Sequence, residues 1–248
     1  MNFSENSSDP SLDSNIFFII IPPMDLNDLK TKLRQMAFSK GAGVFGVCRI
    51  DDLRETFHPE IKKISEKLKT AISIGVPLAS PVLRTLVDRP NMIYKAHYRQ
   101  VNAILDDTSF AIASEIERNG QKAMPLPASM VLKRFPMVGH LSHRVIAHEA
   151  GLGWWGRNNL LVSKDYGSQV RLVTILTNAQ FETDMPIEED CGDCFACLSA
   201  CPVNAISENK EEFNLKACSE QVQKFAQENN YGMYICGLCL KPCRGKIY

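Results

Sequence analysis

The stretch CGDCFACLSACPVNAI, residues 191–206, places four cysteines within eleven positions and follows the last with a proline. Cys191-x2-Cys194-x2-Cys197-x3-Cys201-Pro202 is a spacing at which thiolates ligate iron–sulfur cubanes, three taking one cluster and the fourth reaching another. One such run needs a second set of ligands, and the chain supplies it: Cys218 stands alone, and Cys236-x2-Cys239-x3-Cys243 follows.

Eight cysteines make two four-thiolate sites with none left over. If ligands cross between the runs, as in bacterial ferredoxins, Cys191, Cys194, Cys197 and Cys243 hold one 4Fe–4S cluster. Cys201, Cys218, Cys236 and Cys239 then hold the other. Cys-x2-Cys pairs also build tetrahedral zinc sites, but three cysteines spaced two apart and a fourth before proline favour the cubane. The ninth cysteine, Cys48, lies in the apolar run GVFGVCRI (43–50) and reads as a buried thiol on a strand.

The surrounding numbers bound the remainder. The chain has 248 residues, 45% of them hydrophobic, enough for one large core or a core with a small satellite. With 28 basic and 28 acidic residues, no global charge favours a nucleic-acid or membrane partner. The apolar run IFFIIIPP (16–23) is well short of the roughly 18 residues that cross a bilayer and lacks a signal peptide's basic flank. Residues 1–14, rich in Ser, Asn and Asp, read as a flexible leader. Cysteines in ligand spacing without an export signal suggest a reducing compartment, hence a cytoplasmic protein.

Residues 15–185 alternate helix-like and strand-like segments, ahead of a ferredoxin-like double-cluster domain at 186–248. Helices are expected over 25–43, 60–69, 92–118 and 141–149, and strands over 43–50, 70–78 and 121–129. RNNLLVSKDYGSQVRLVTILT reads as a β-hairpin turning at Lys164, Asp165 and Gly167. A further polar helix is expected over 219–230. The fold class is therefore α/β, a mixed-sheet sandwich followed by the cysteine module. Neither GxGxxG nor a P-loop is present, which removes the usual warrant for a nicotinamide or nucleotide site.

The segment GLGWWG (151–156) holds three glycines and both tryptophans of the chain. It is either a tight turn with its indoles in the core or a loop lying against a large planar cofactor, with donors from Arg157, Asn158 and Asn159. His140 and His143 are three apart but have no third ligand nearby, so solvated or capping roles fit them better than a metal pair. His97 and Tyr98 form a titratable pair at the start of the long helix.

AGLGWWGRNNLLV, a segment ending RLVTILTN, and then the paired cysteine runs resemble, over residues 25–245, the epoxyqueuosine reductases and their cobalamin-binding iron–sulfur relatives. These are similar in turn to the catalytic core of reductive dehalogenases. The resemblance implies a base-off cobalamin between the α/β and cluster domains, reduced by electrons from the clusters. It also implies a cofactor surface at Gly153, Trp154, Gly156, Arg157, Asn158 and Asn159. The partners implied are an electron donor, flavodoxin or ferredoxin-like, and a small-molecule or modified substrate.

Two departures shape the expectation. The family carries an Asp in a V-D-(S/T) motif seventeen residues before the tryptophan, where this chain has Met137, and a thioether is no acid. The sequence also stops at Tyr248, without the family's helical-repeat extension near tRNA. A tRNA partner is accordingly not expected, and His140, Tyr98 and His97 become the candidate proton donors. Competing readings are an electron-transfer protein without an organic cofactor, a corrinoid-reducing partner of another enzyme, and an epoxyqueuosine tRNA reductase.

Overall fold

The computed structural model describes residues 24–133, 138–228 and 232–245. The expected leader, the apolar run 16–23 and Met137 lie outside them. In chain order the principal elements are α1 (Leu26–Ser39), β1 (Val44–Arg49), α2 (Pro59–Ser65), β2 (Thr70–Pro77), α3 (Ser80–Arg84) and α4 (Met92–Arg118). They continue with β3 (Ala123–Leu126), α5 (His143–Glu149), β4 (Trp154–Trp155), β5 (Leu161–Val162), β6 (Val170–Thr177) and α6 (Leu215–Gln227).

Local chemistry sets the helix starts. The side chains of Asp25, Asn91 and Ser142 accept from Asn27, Tyr94 and Val145 amides at the starts of α1, α4 and α5. Asn214 does the same for α6, which begins before the expected 219 and so places Cys218 in its first turn. The Lys-rich helix is shorter than its pattern, ending at Ser65.

The main sheet has the order β1-β2-β6-β3. The expected α/β layering is present, but the sheet is not mixed: every pairing among the described strands is antiparallel. The central strands β2 and β6 are largely buried on both faces, and side chains of the sheet alternate between two apolar clusters as the pleat requires. Phe45, Val47, Ile72, Ile74, Val173 and Ile175 face Leu33 of α1 and Leu105 and Ile112 of α4. Cys48, Ala71, Leu172 and Leu176 face Ile61 of α2 and Ile146 of α5. A strand covered on both sides shows an apolar run instead of clean alternation, and that run carries no record of strand direction.

The expected hairpin also resolves differently. β5 pairs with β4, Trp154 opposite Val162 and Trp155 opposite Leu161, while β6 joins the main sheet between β2 and β3. The β4–β5 turn is closed by Gly156 N–H donating to Leu160 O (2.9 Å), with Asn159 at φ 56°. Lys164, Asp165 and Gly167 lie in the connection to β6, closed by a bridge between Ser163 and Gly167.

The cysteine-rich part shares the core of the α1/α4 layer, where Phe225, Ile235 and Leu238 join Leu83, Leu86 and Tyr94. Gln169 Nε2 donates to Leu240 O (2.9 Å) and Lys241 O (3.1 Å), and Lys241 Nζ donates to Leu86 O (2.6 Å). Gly167, at φ 59°, lies so close to the chain at Cys243–Gly245 that a Cβ there would fall on backbone atoms. On the other side, residues approaching the first cysteine run along β1. Asp184 Oδ2 accepts from Val47 N–H (2.8 Å), Asp184 N–H donates to Val47 O (2.8 Å), and Lys30 Nζ donates to Glu182 O (2.7 Å).

Two glycines separate backbone strain from collision. Gly41 has φ 94° and open space around it, whereas Gly167 has positive φ and no room. Gly41→Ala is expected to cost about 1 kcal/mol, and Gly167→Ala about 3 kcal/mol or more with earlier release of the C-terminal cysteines. Urea unfolding of the two variants side by side measures the difference.

Candidate redox and cofactor site

The structure gathers the eight cysteines of the two runs into two sets. Burial pushes the Cys197 thiol up to about 11, and the thiols of Cys243, Cys191 and Cys194 act in the same direction. Burial also pushes Cys236 up to about 11, with Cys218 and Cys201 adding to the rise. Cys239 is raised well above the usual thiol range, first by burial and then by Cys236, Cys218, Cys197 and Cys201. Cys197 is thus surrounded by one set and Cys239 by the other, and the two sets adjoin through this pair.

Among the described residues no three His, Cys, Asp or Glu side chains close on the position of one ion. Backbone amides already address two of the sulfurs: Ala205 N–H donates to Cys201 Sγ (3.2 Å) and Ser168 N–H to Cys243 Sγ (3.3 Å). Cys194 is exposed, while Cys197 is buried.

The GLGWWG segment leads from the end of α5 into β4, with little room around its glycines. A Cβ at Gly153 would fall on Val162 O, one at Gly156 would collide with the Val162 side chain, and Gly151 has φ 71°. Trp154 is 2% exposed, within the core. Trp155 is half-buried, its ring between the His148 ring (5.7 Å) and the Arg144 guanidinium (5.8 Å). Asn158 Nδ2 donates to Ser168 Oγ (2.9 Å), and Asn159 O accepts from Arg144. Arg157 donates to the carbonyls of Glu208 (2.6 Å), Cys194 (3.1 Å) and Gly192 (2.9 Å). Of the donors expected at a cofactor edge, Arg157 is thus directed to main-chain carbonyls and Asn158 to a serine hydroxyl.

The proton-donor candidates separate clearly. His97 Nε2 accepts from Ala79 N–H (2.9 Å) at the start of α3, and burial lowers its pKa. His140 Nε2 pairs with Glu60 Oε2 (2.9 Å) and is not joined to His143. His143, the first residue of α5, turns its ring toward the sheet, donating through Nε2 to Pro127 O (3.0 Å) and accepting at Nδ1 from the Thr174 hydroxyl (2.8 Å). Cys48 is likewise interior, its thiol pushed up to about 12, mainly by burial, and directed at Ile146 O (3.7 Å).

Of the three candidates, Tyr98 lines a cavity. This space of about 230 Å3 lies between Tyr98, Ser129 and Val131 on one side and Gly232 to Ile235 on the other. Ile235 immediately precedes Cys236, so the cavity abuts the second thiol set. Arg171 lies 4.3 Å over the Tyr98 ring, held by Asn102 Oδ1 (3.1 Å) and Ala128 O (3.2 Å). Sequence reasoning passed over Arg171, although a cation inside the apolar run of β6 was its signal. A larger groove of about 450 Å3 between Asp88, Arg89, Lys224 and Glu228 is polar and of mixed charge.

A sheet layered between helices, fused to a segment that carries eight clustered cysteines, defines an α/β protein with a cysteine-rich C-terminal module. No family profile matches the chain. It is 35% identical over 120 residues to the epoxyqueuosine reductase of Aliivibrio fischeri, covering 48% of this chain and 31% of that protein. It is 31% identical over 209 residues to that of Vibrio cholerae, covering 74% and 55%. The chain thus spans from about a third to about half of these relatives' lengths.

Among solved structures, epoxyqueuosine reductase from Streptococcus thermophilus aligns over 87% of this chain and 65% of its own, at TM-score 0.60 and 26% identity. An epoxyqueuosine reductase with a tRNA-Tyr stem loop aligns over 73% and 53%, at TM-score 0.51 and 26% identity. A reductive dehalogenase aligns over 90% and 33%, at TM-score 0.68 and 17% identity, a likeness of fold alone. The chain is epoxyqueuosine reductase-like. The expectation against tRNA loses force, since one similar protein is seen with a tRNA stem loop.

His143 gives a pH test. Its pKa is lowered to about 4, mainly by burial, whereas the unfolded side chain titrates near 6.5. Below about 6.5 the unfolded state binds the proton and the folded state does not, so stability falls as pH drops toward 4 and is fully present above 6.5. The span is about 3 kcal/mol. The expected result is a denaturation midpoint that falls between pH 6.5 and 4 in the wild type and falls less in His143→Gln.

Proposed function

We propose that this chain is the redox core of a cobalamin-dependent iron–sulfur reductase working in the cytoplasm. The observation that carries the reading is the convergence of eight cysteines into two adjoining sets of four, one abutting the Tyr98 cavity. The epoxyqueuosine reductase relatives support it. Cys191, Cys194, Cys197 and Cys243 would hold one 4Fe–4S cluster, and Cys201, Cys218, Cys236 and Cys239 the other. Bound to the chain, clusters and cobalamin supply low-potential reducing equivalents.

The chain's own residues then have defined tasks. Exposed Cys194 brings the first set to the surface, where a flavodoxin or ferredoxin-like donor can approach. Cys197 and Cys239 set the two clusters side by side. Tyr98 holds a proton at Oη beside Ser129 Oγ (3.4 Å), and Arg171 fixes its ring. Gly153, Gly156 and Asn158 are committed to packing, so the open face for an organic cofactor's edge is the cavity between Tyr98, Ser129 and Met233. The apolar side chains of Val131 and Ile235 and the hydroxyls of Tyr98 and Ser129 would meet one edge of such a group, the rest of it lying outside the cavity.

The second reading is that the modified substrate is epoxyqueuosine in tRNA, as the names of the relatives suggest. Met137, one of the two departures behind the contrary expectation, lies outside the described residues. Anaerobically reconstituted protein should contain about eight iron and eight sulfide per chain. Zinc without sulfide would sink the proposal. Cob(II)alamin titration followed by EPR should show stoichiometric base-off binding, and an unchanged free-cofactor spectrum would leave an electron-transfer protein. Turnover of epoxyqueuosine tRNA selects the tRNA substrate. Tyr98→Phe is expected to lower turnover about a hundredfold while leaving cluster content unchanged, and wild-type turnover would remove Tyr98 as donor.

A further inference from the structure

Arg157 stands three positions after Trp154, and the turn that carries it is fixed on each side. Gly156 packs against the Val162 side chain, and Asn158 is locked to Ser168 Oγ. From that anchor the guanidinium reaches into the first cysteine run. Nη2 takes the carbonyl of Gly192, Nη1 that of Cys194, and Nε that of Glu208, 51 residues ahead in sequence. Its plane lies over Phe195, with Cζ 4.5 Å from the ring centroid. No carboxylate forms an ion pair with it among the described residues.

We propose that Arg157 is the positioning residue of the first cluster, gathering the outward carbonyls of the Cys191–Cys197 loop so that its thiolates face a common centre. The inference rests on reading the eight cysteines as cluster ligands. The loop has no helix or strand to hold it, and a planar fork with several fixed donors is the one side chain that joins three carbonyls from two separate segments. A second consequence follows from its charge. An iron–sulfur cluster becomes more negative on reduction, so a nearby guanidinium favours the reduced form and raises the midpoint potential.

Lysine keeps the charge but not the fork, and this separates the two effects. Arg157→Gln should lose iron from the first cluster to a chelator at least tenfold faster than wild type and lower that cluster's midpoint. Arg157→Lys should lose iron faster yet keep the midpoint close to wild type. Alkylation of newly freed thiols with peptide mapping identifies the cluster: Cys191, Cys194, Cys197 and Cys243 should label, while Cys201, Cys218, Cys236 and Cys239 stay protected. Equal loss from both clusters, or unchanged retention and midpoint in both variants, overturns the proposal. Iron and sulfide in the wild-type chain test the underlying ligand reading separately, before any variant is made.

Discussion

A contact made by backbone alone, Gly167 against the chain at Cys243–Gly245, ties the sheet to the cysteine-rich part. No side chain stands between the two segments, so the position of the last cysteine is referred directly to β6. From the same stretch Ser168 supplies an amide to the Cys243 sulfur, and Gln169 holds the carbonyls just before it. Cys243 can then complete a set whose other three members lie 46 or more residues earlier. The sheet itself is made rigid by burial on both faces, with α1 and α4 on one side and α2 and α5 on the other.

Much of the fold was legible because local chemistry decides it. Asp25 and Asn91 cap helices whose apolar spacing was plain, and the apolar residues of β2 and β6 marked both segments as strands. Strand direction was not legible, since a strand buried on both faces has the same composition in either orientation. The β4–β5 ribbon was missed because each strand is two residues long, and its closing turn depends on Asn159 adopting a left-handed conformation.

The site was legible to unequal depth for a related reason. Cysteine spacing records ligand chemistry directly, because the number and separation of thiolates must suit the group they hold. Arg157 and Asn158 advertise donors, but their acceptors are main-chain carbonyls and a serine hydroxyl that leave no trace in a pattern. His97 is another such case: its partner is the Ala79 amide, which no residue type reveals. Tyr98 faces the cavity only because Arg171, from a strand 73 positions later in the chain, holds its ring.

The residues that approach the first cysteine have a separate consequence through Asp184. By offering Val47 both an acceptor and a donor, Asp184 stands in for a neighbouring strand at the outer edge of β1. An uncovered edge is a template on which a second chain can add and an aggregate can grow. The tether to the cysteines therefore also guards the sheet's margin, and releasing Asp184 from Val47 would leave the outer edge of β1 open to a second chain.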